Sequence, residues 1–367
     1  MPYTSMTIKV PGKLMVAGEF AVLVPYQNLV VMAVDRFVYT TWQPSDQNRI
    51  TFQDFDLNDL IWDYKRDKVN IHSTDKRVHF VENAMTIAFR YLQENGITPN
   101  PFELSIKSEL DDTSGIKYGL GSSAAVVTSV ITAILKGHLS EAPTATLIFK
   151  LAAITHVNTQ GNGSGADVAA SSYGGILHYS SFQAEWLKTA FEEAETLTAL
   201  LKADWTYLSI NPIQIPENVY ICVGWTGNPA STGKLVDRIL HLNKTNSMLF
   251  EEFLTSSEEA VKNILMGMES ENIPLLLEGV KQNRQALAKV GRHADTPVET
   301  PLLSTLCDLA EQYGGAGKPS GAGGGDCGIA FMPSKEKADA LMEAWSKAGI
   351  KPLDIQPNPF GASAKEA

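Results

Sequence analysis

The segment KYGLGSSAAVVTSVITAIL, residues 117–135, constrains the fold more than any other stretch of the chain. After its opening glycines and serines, residues 122–136 are apolar around nearly the whole circumference of a helix, so other elements must cover this helix on every side. The chain has 367 residues, of which 44% are hydrophobic and 19% are charged. Such a chain can bury a central helix within a sizeable core, and its length suggests two domains rather than one.

Around this helix, the residue pattern predicts a mixture of strands and further helices. Segments rich in β-branched or aromatic residues predict strands at 7–10, 29–41, 102–107 and 219–227. Helical spacing of apolar residues predicts helices at 79–95, which ends before Gly96, and over most of 247–290. Because strands and helices do not alternate strictly, the pattern predicts an α+β fold.

The chain is predicted to divide near its middle. Residues 181–204 have the pattern of an exposed helix that could link two halves, which places a domain boundary within residues 180–215. We assign residues 1–185 to an N-terminal domain and residues 186–367 to a C-terminal domain.

Charge and cysteine content argue against several classes of protein. The net charge of −11 at pH 7 argues against nucleic-acid binding, which needs a basic face. The three cysteines, Cys222, Cys307 and Cys327, lie outside any CxxC pattern, so neither a disulfide framework nor a zinc site is expected. The sequence has no signal-peptide-like apolar run at its start and no stretch long enough to span a membrane, so we expect a cytoplasmic protein.

Four glycine-containing segments are candidates for a binding site, and the first is KVPGKLMVAGEFAVL at residues 9–23. A predicted strand ends at Pro11 and Gly12, and Lys13 follows where the backbone turns, so its ammonium group could point into a cleft. Most lysines, however, only solvate a surface, and the segment alone does not assign Lys13 a role.

The second segment is the loop that opens the central helix. Gly119 and Gly121 allow close approach of the backbone to a ligand, and Ser122 and Ser123 stand where free N–H groups of the helix favour an anion such as phosphate. A serine that caps a helix after a flexible turn would give the same pattern. GLGSSA also fits the dinucleotide fingerprint, but the preceding predicted strand ends near Lys107, which is too early for that motif.

Other catalytic motifs have no support in the sequence. QYGGAGKPS and NPASTGKLV contain Gly-Lys without the spacing of a Walker A loop. The patterns G-x-S-x-G and H-E-x-x-H do not occur, which argues against hydrolase and metalloprotease chemistry. The seven histidines are scattered, and we interpret them as structural.

The third and fourth segments are also rich in glycine. TQGNGSGADVAASSYGG, residues 159–175, places Asp167 at the head of a predicted helix, where a simple helix-start role is the favoured interpretation of the segment taken alone. In GKPSGAGGGDCGIAF, residues 317–331, glycines crowd in front of Asp326 and a predicted strand. Such crowding indicates a bulge or a backbone packed against a ligand.

Taken in this order, the four segments resemble the GHMP kinase family, named for galactokinase, homoserine kinase, mevalonate kinase and phosphomevalonate kinase. The resemblance spans most of the chain and implies a two-domain α+β fold with ATP in the cleft between the domains. It also implies that the triphosphate lies over the GLGSSAA loop, within an ATP-binding N-terminal domain.

Within the family, the chain is most similar to the phosphomevalonate kinase branch. One segment, GNGSGADVAASSYGG, resembles the G-S-G-x-D-V-A form of that branch, whereas mevalonate kinases have a segment like PSGxDN. Two further segments are also similar to phosphomevalonate kinase segments: VGWTGNPASTGKLV, residues 223–236, and KPSGAGGGDCGIAF. The resemblance implies transfer of the γ-phosphoryl group of ATP, accompanied by Mg²⁺, to the phosphate of 5-phosphomevalonate. Another small-molecule acceptor, such as mevalonate or homoserine, and a non-catalytic or dinucleotide-binding protein remain alternatives.

The resemblance also implies roles for individual residues. Lys13 is the main cation, and Asp167 orients it and sets the local charge. A strong base is less necessary, because a phosphate monoester with a second pKa near ~6 is largely dianionic at neutral pH. The expected ATP-binding residues are Lys117, Gly119, Leu120, Gly121, Ser122, Ser123 and Ala124, with Ser123 also as a Mg²⁺ ligand. The expected acceptor-binding residues are Lys9, Lys13, Ser164, Gly165, Lys234, Arg238, Ser320, Gly321, Ala322 and Gly323.

Overall fold

The computed structural model describes residues 5–111, 116–227 and 232–365. Residues 228–231, part of the segment 223–236 that was compared with one branch of the family, lie outside the described residues. The helices are α1 (His79–Glu94), α2 (Ser122–His138), α3 (Ala145–Gln160), α4 (Ala166–Tyr173), α5 (Ala184–Glu193), α6 (Leu197–Lys202), α7 (Thr232–Thr245), α8 (Ser247–Glu269), α9 (Ile273–His293), α10 (Pro301–Gln312) and α11 (Lys335–Lys347).

The strands confirm the predicted α+β class. They are β1 (Met6–Ala17), β2 (Asn28–Pro44), β3 (Arg49–Phe52), β4 (Leu57–Lys65), β5 (Lys68–Ile71), β6 (Phe102–Ser108), β7 (Ile176–Ser180), β8 (Ser209–Ile213), β9 (Tyr220–Trp225), β10 (Ala316–Pro319), β11 (Cys327–Met332), β12 (Lys351–Leu353) and β13 (Ser363–Ala364). The predicted strands at 7–10, 29–41, 102–107 and 219–227 correspond to β1, β2, β6 and β9.

Within the described residues, the strands form two sheets. The larger has nine strands in the order β13-β1-β2-β6-β3-β4-β5, and β7 and β8 extend it from β2. The smaller has four strands in the order β10-β11-β9-β12. Among the described pairs only β3 and β6 are parallel, and β3 precedes β6 in the chain. Strand β6, which comes before the GLGSS loop, otherwise pairs with β2 in antiparallel orientation, so α2 does not connect β6 to a following parallel strand as a dinucleotide-binding βαβ unit requires. The dinucleotide-binding alternative is therefore wrong for this fold.

Helix α2 is the predicted central helix. Nearly all of its residues from Ala124 to Leu135 are buried, and the helix packs against α1, α3 and α4 on its helical side and against β1 and β2 on the other. Two of its buried hydroxyl groups are paired: Ser129 shares a 2.7 Å hydrogen bond with Thr40, and Thr132 donates one of 2.7 Å to Thr128 O. Its polar first turn is thereby fixed at one end of the core.

The prediction of one exposed helix over residues 181–204 is wrong. The segment forms α5 and α6, separated by a turn in which Thr196 caps the second helix by accepting a hydrogen bond from Ala199 N. Leu187, Leu197 and Leu200 are buried. The stretch therefore packs its apolar positions into the core instead of bridging two halves through solvent.

The predicted domain boundary between residues 185 and 186 stays a prediction. The pairing of strands in the larger sheet indicates where the boundary could lie instead. Strand β8 pairs with β7, so the chain up to Ile213 belongs to the larger sheet. The C-terminal segment also returns to that sheet, because β13 pairs with β1. We propose a boundary after Ile213, with the chain end returning to the first unit. None of the described helices combines the length and apolar character needed to cross a membrane.

Candidate active site

Lys13 joins the first two glycine-containing segments. A β-bulge between Pro11 and Gly12 turns β1, and the Lys13 side chain is only 9% exposed. Its Nζ donates a 2.9 Å hydrogen bond to Gly119 O, and its backbone N donates one of 2.8 Å to Leu120 O. The ammonium group therefore points inward at the loop that opens α2.

The charge of Lys13 depends on its acidic neighbours. Burial lowers the pKa of the ammonium group below its ordinary value, because an apolar environment disfavours the charged form. Asp167 opposes this effect most strongly, followed by Asp326 and then by Cys327 and Glu19. The site therefore holds a cation that its surroundings desolvate and its carboxylates support.

Gly121 marks the point where Lys13, Asp167 and the loop meet. Its backbone is left-handed, with φ of 81°, at the residue that caps α2. A β-carbon at this position would lie 3.1 Å from Lys13 Cγ and 3.5 Å from Asp167 Cβ. The absence of a side chain therefore lets the loop approach both functional groups closely.

Asp167 lies in the first turn of α4, where its Oδ1 accepts a 2.9 Å hydrogen bond from Val168 N. Two aromatic side chains hold the turn that precedes Asp167. Tyr179 donates a 2.6 Å hydrogen bond to Ser164 O, and a β-carbon on Gly165 would lie 2.3 Å from Phe182 Cε1. Burial raises the pKa of Tyr179 well above its ordinary value, so its hydroxyl remains a donor at neutral pH.

The two serines at the head of α2 have different partners. Ser122 donates a 3.2 Å hydrogen bond to Asp111 Oδ1, whereas Ser123 Oγ lies 3.1 Å from Nε2 of the buried His156. His156 thus orients a predicted site residue, although it was interpreted only as structural. Hydroxyl and carboxylate oxygens at this helix start are the donor type that Mg²⁺ prefers. Leu120 and Ala124, also among the predicted ATP-binding residues, are buried.

The glycine-rich segment before β11 packs directly against β1. Ser320 Oγ donates to Met15 O at 3.0 Å and accepts from Met15 N at 2.9 Å. Gly323 has φ of 71°, and a β-carbon there would lie 2.2 Å from Val298 O. Ala322 packs against the smaller apolar cluster that includes Phe20. The structure therefore brings this segment next to the strand that carries Lys13.

A buried ion pair that the sequence reasoning missed supports this junction. Lys318 Nζ lies 2.5 Å from Glu19 Oε1, and both side chains are nearly inaccessible to solvent. The same oxygen accepts a 3.2 Å hydrogen bond from Gly321 N, and Glu19 Oε2 accepts one of 3.2 Å from Asn283 Nδ2. Such a fully bonded buried pair ties the end of β1, the glycine-rich segment and α9 to one another. The sequence signal that could have revealed this pair was a single charged residue, Glu19 or Lys318, inside each of two otherwise apolar segments.

Asp326 is a further residue of this group that the sequence analysis did not assign to the site. A β-carbon on Gly119 would lie 2.8 Å from Asp326 Oδ2, so the carboxylate rests against the α-carbon of the loop that binds Lys13. Asp326 has a left-handed backbone, with φ of 54°. Its carbonyl oxygen accepts hydrogen bonds of 3.0 Å from Thr226 N and Thr226 Oγ1.

The other predicted cations do not share the contacts of Lys13 within the described residues. Lys9 Nζ is 3.7 Å from the centroid of the Phe37 ring, and Arg238 Nη1 donates to Asp295 O at 3.4 Å. Lys117 and Lys234 are exposed. Among the residues that the structure describes, none of these four side chains forms a hydrogen bond or ion pair with Lys13, Asp167 or the glycine-rich segment. Their predicted roles stay predictions.

The chain is similar to several known proteins over most of its length. Models of the GHMP kinase N-terminal domain and of the GHMP kinase C-terminal region match residues 80–175 and 267–351. The phosphomevalonate kinase of Streptomyces sp. (strain CL190) is 32% identical over 360 residues, which cover 95% of this chain and 96% of that protein. The Lin0012 protein from Listeria innocua is 37% identical, with a TM-score of 0.93 over 99% of this chain and 100% of that one. Streptococcus pneumoniae phosphomevalonate kinase in complex with phosphomevalonate and AMPPNP is 27% identical, with a TM-score of 0.83 over 97% and 100% of the two chains.

Proposed function

Because the chain belongs to the GHMP kinase family, we propose that it transfers the γ-phosphoryl group of ATP to the phosphate of 5-phosphomevalonate, giving 5-diphosphomevalonate and ADP. The observation that carries this proposal is the buried Lys13 ammonium, which is bonded to the glycine loop at the start of α2 and adjoins Asp167. A phosphomevalonate kinase relative at 32% identity and a related enzyme solved with phosphomevalonate and AMPPNP support the choice of acceptor.

The nucleotide phosphates would bind at the start of α2. Free backbone N–H groups at a helix N-terminus attract anions, and Gly119 and Gly121 give them an unobstructed approach. Mg²⁺ bound with ATP would neutralise charge on the phosphate oxygens, and the Ser122 and Ser123 hydroxyls and the Asp111 carboxylate are suitable oxygen ligands. Lys117, on the exposed side of this loop, would contact the same phosphates.

Lys13 would stabilise the charge that develops on the transferring group. Phosphoryl transfer depends on positioning and electrostatic stabilisation more than on covalent chemistry by the protein. A cation held in a desolvated site interacts more strongly with that charge than one in water. Because binding of a polyanion beside Lys13 favours its charged form, substrate binding itself would reinforce the protonated state.

The acceptor would lie between the Asp167 turn and the glycine-rich segment. Two polyanions must come together here, and at ~4 Å two like charges repel by ~4 kcal/mol even at an effective dielectric of 20. We propose that Ser164, Gly165 and residues 320–323 border the acceptor. Lys9 and Arg238 would reach its phosphate after rearrangement, since their present contacts are elsewhere. Lys234, which is exposed on α7, would reach it as well.

A panel of acceptors tests the proposed reaction directly. ADP release would be measured with ATP and Mg²⁺ and with phosphomevalonate, mevalonate, homoserine or galactose as acceptor. We expect phosphomevalonate to give a kcat/KM at least about 100-fold above every other acceptor, because only this acceptor supplies a dianionic nucleophile. Higher efficiency with mevalonate would assign the chain to hydroxyl phosphorylation instead.

Asp167→Asn tests whether the carboxylate accepts a proton or orients Lys13. The substitution keeps the size of the side chain and removes its charge. We expect turnover to fall about 100-fold, at the lower end of the range for general-base catalysis, because the acceptor phosphate has already lost its proton. The fall of kcat/KM below pH ~6 should persist in the variant, since it reports the ionisation of phosphomevalonate.

A pH–rate profile of both proteins on phosphomevalonate decides the role of Asp167. A profile that becomes flat below pH ~6 in Asp167→Asn would show that the acid limb requires the Asp167 carboxylate, as expected of an obligatory base. Asp339→Asn, which removes an exposed carboxylate on α11, is the matched control and should leave turnover unchanged.

A further inference from the structure

We propose that Asp326 is a positioning residue for Lys13: its carboxylate supports the glycine loop that binds the Lys13 ammonium, and with Asp167 it supplies the negative charge that this buried cation needs. The importance of Lys13 for turnover rests on the proposed function, whereas the contacts of Gly119 with Asp326 and with Lys13 do not. Asp326 was seen in the sequence only as the residue that follows a glycine cluster.

Contacts run without interruption from Asp326 through Gly119 to Lys13. The carboxylate of Asp326 lies so close to Gly119 that a β-carbon there would be 2.8 Å from Oδ2 and 2.9 Å from Asp326 Cβ. Gly119 O in turn accepts the 2.9 Å hydrogen bond from Lys13 Nζ. The loop residue is therefore held between a carboxylate and an ammonium group, and only glycine fits there.

Hydrogen bonds fix the backbone around Asp326. The left-handed conformation of Asp326 follows Gly325, whose φ is 151°. Two hydrogen bonds from Thr226 hold the carbonyl of Asp326, and Cys327 Sγ donates a 3.2 Å hydrogen bond to Tyr118 O. A conformation that a non-glycine residue seldom adopts persists only where its surroundings determine it. The carboxylate is thus presented to the loop by a rigid turn.

Four ionisable groups affect the charge of Lys13. The ionisable groups that face it are Asp167 from α4, Asp326 from the turn before β11, Cys327 from β11 and Glu19 after β1. Burial raises the pKa of the Cys327 thiol to about 12, so this group is neutral at physiological pH. Glu19 is already bonded to Lys318 and Asn283. Asp167 and Asp326 are therefore the two carboxylates that favour the charged form of Lys13 most strongly.

The charges around Lys13 determine in which direction its pKa changes when Asp326 loses its charge. An adjacent carboxylate favours the protonated ammonium group, so removing the charge of Asp326 lowers the pKa of Lys13 further. Lys13 would then lose its proton at a lower pH, and the alkaline limit of turnover would move in the same direction. A residue with a purely structural role would change stability without moving either pH midpoint.

Lysine NMR of the full chain measures this effect without substrates. Protein labelled with ¹³C at the lysine ε-carbon would be titrated with pH, and the Lys13 signal would be identified by its loss in Lys13→Arg. We expect Asp326→Asn to lower the titration midpoint of Lys13 by about one unit or more. Asp339→Asn should leave the midpoint at its wild-type value, because that carboxylate is exposed and pairs with Lys335.

A folded Asp326→Asn protein with the wild-type Lys13 midpoint would overturn the proposal. If this variant does not fold, Asp326→Ser removes the same charge with a smaller side chain, and the same comparison applies. The NMR result stands even if wild-type protein does not phosphorylate phosphomevalonate, which would refute the proposed function alone. With an active enzyme, the alkaline limb of kcat should move to lower pH together with the NMR midpoint.

Discussion

Replacing Lys13 with methionine is expected to lower turnover by roughly 1000-fold or more while changing the affinity for MgATP by less than about tenfold. Cationic groups aimed at a transferring phosphoryl group contribute effects of this size, because their interaction strengthens as charge develops in the transition state. Single-turnover kinetics and equilibrium binding of MgATP measure the two quantities separately. Unchanged turnover would show that Lys13 has no role in phosphoryl transfer.

The stability of the same variant provides its control. Lys13 is buried, and burial lowers the pKa of its ammonium group, which means that the folded protein bears a desolvation cost for this charge. Methionine has a similar length without that cost, which offsets the lost hydrogen bond to Gly119 O and the lost attraction to Asp167 and Asp326, so the thermal unfolding midpoint should change little. Lys107→Met, on an exposed position of β6, should leave turnover unchanged. Loss of activity with retained stability would separate a catalytic role from a structural one.

The positions where the backbone approaches another group closely could be predicted from the sequence, because glycine has a local physical meaning. Gly119, Gly121 and Gly165 all adopt positive φ, and in each a β-carbon would collide with, or tightly contact, a neighbouring group. A clustered need for such conformations leaves a signature within a few residues. The same is true of α2, whose apolar circumference indicated its central position before any partner was known.

The groups that act across the chain could not be predicted in this way. Lysine and glutamate are rarely buried unless paired, and the pairing of Lys318 with Glu19 joins positions that are remote in sequence. Asp326 likewise acquires its role only because the turn before β11 packs on Gly119. His156 reaches Ser123 from α3. Each of these contacts depends on tertiary packing, which residue spacing does not encode.

The misread segment at residues 181–204 has a similar explanation. Its many charged residues suggested an exposed helix, but Leu187, Leu197 and Leu200 occupy positions that turn toward the core. Glu94 on α1 accepts hydrogen bonds from Leu197 N at 2.8 Å and Thr198 N at 2.7 Å. A carboxylate from another element therefore caps α6, and the helix restarts where the sequence alone suggested continuity.

Gly121→Val is expected to abolish measurable turnover and to weaken MgATP binding by at least about 100-fold, or ~2.7 kcal/mol. The left-handed backbone at this residue is strained for a β-branched side chain, and the added β-carbon would contact Lys13 Cγ at 3.1 Å and Lys13 Cε at 3.3 Å. The substitution should therefore distort the start of α2 and displace the cation at once. Calorimetric titration with MgATP measures the loss of affinity.

Gly96→Val separates the effect on the site from the effect of backbone strain. Gly96 also has a left-handed backbone, with φ of 73°, but a β-carbon there would meet nothing within 4 Å. Both variants should lose a comparable amount of stability from strain, since a left-handed conformation costs an ordinary residue about 1–2 kcal/mol. Only Gly121→Val should lose MgATP. Normal MgATP affinity in Gly121→Val, or an equal loss in Gly96→Val, would contradict the placement of the triphosphate on this loop.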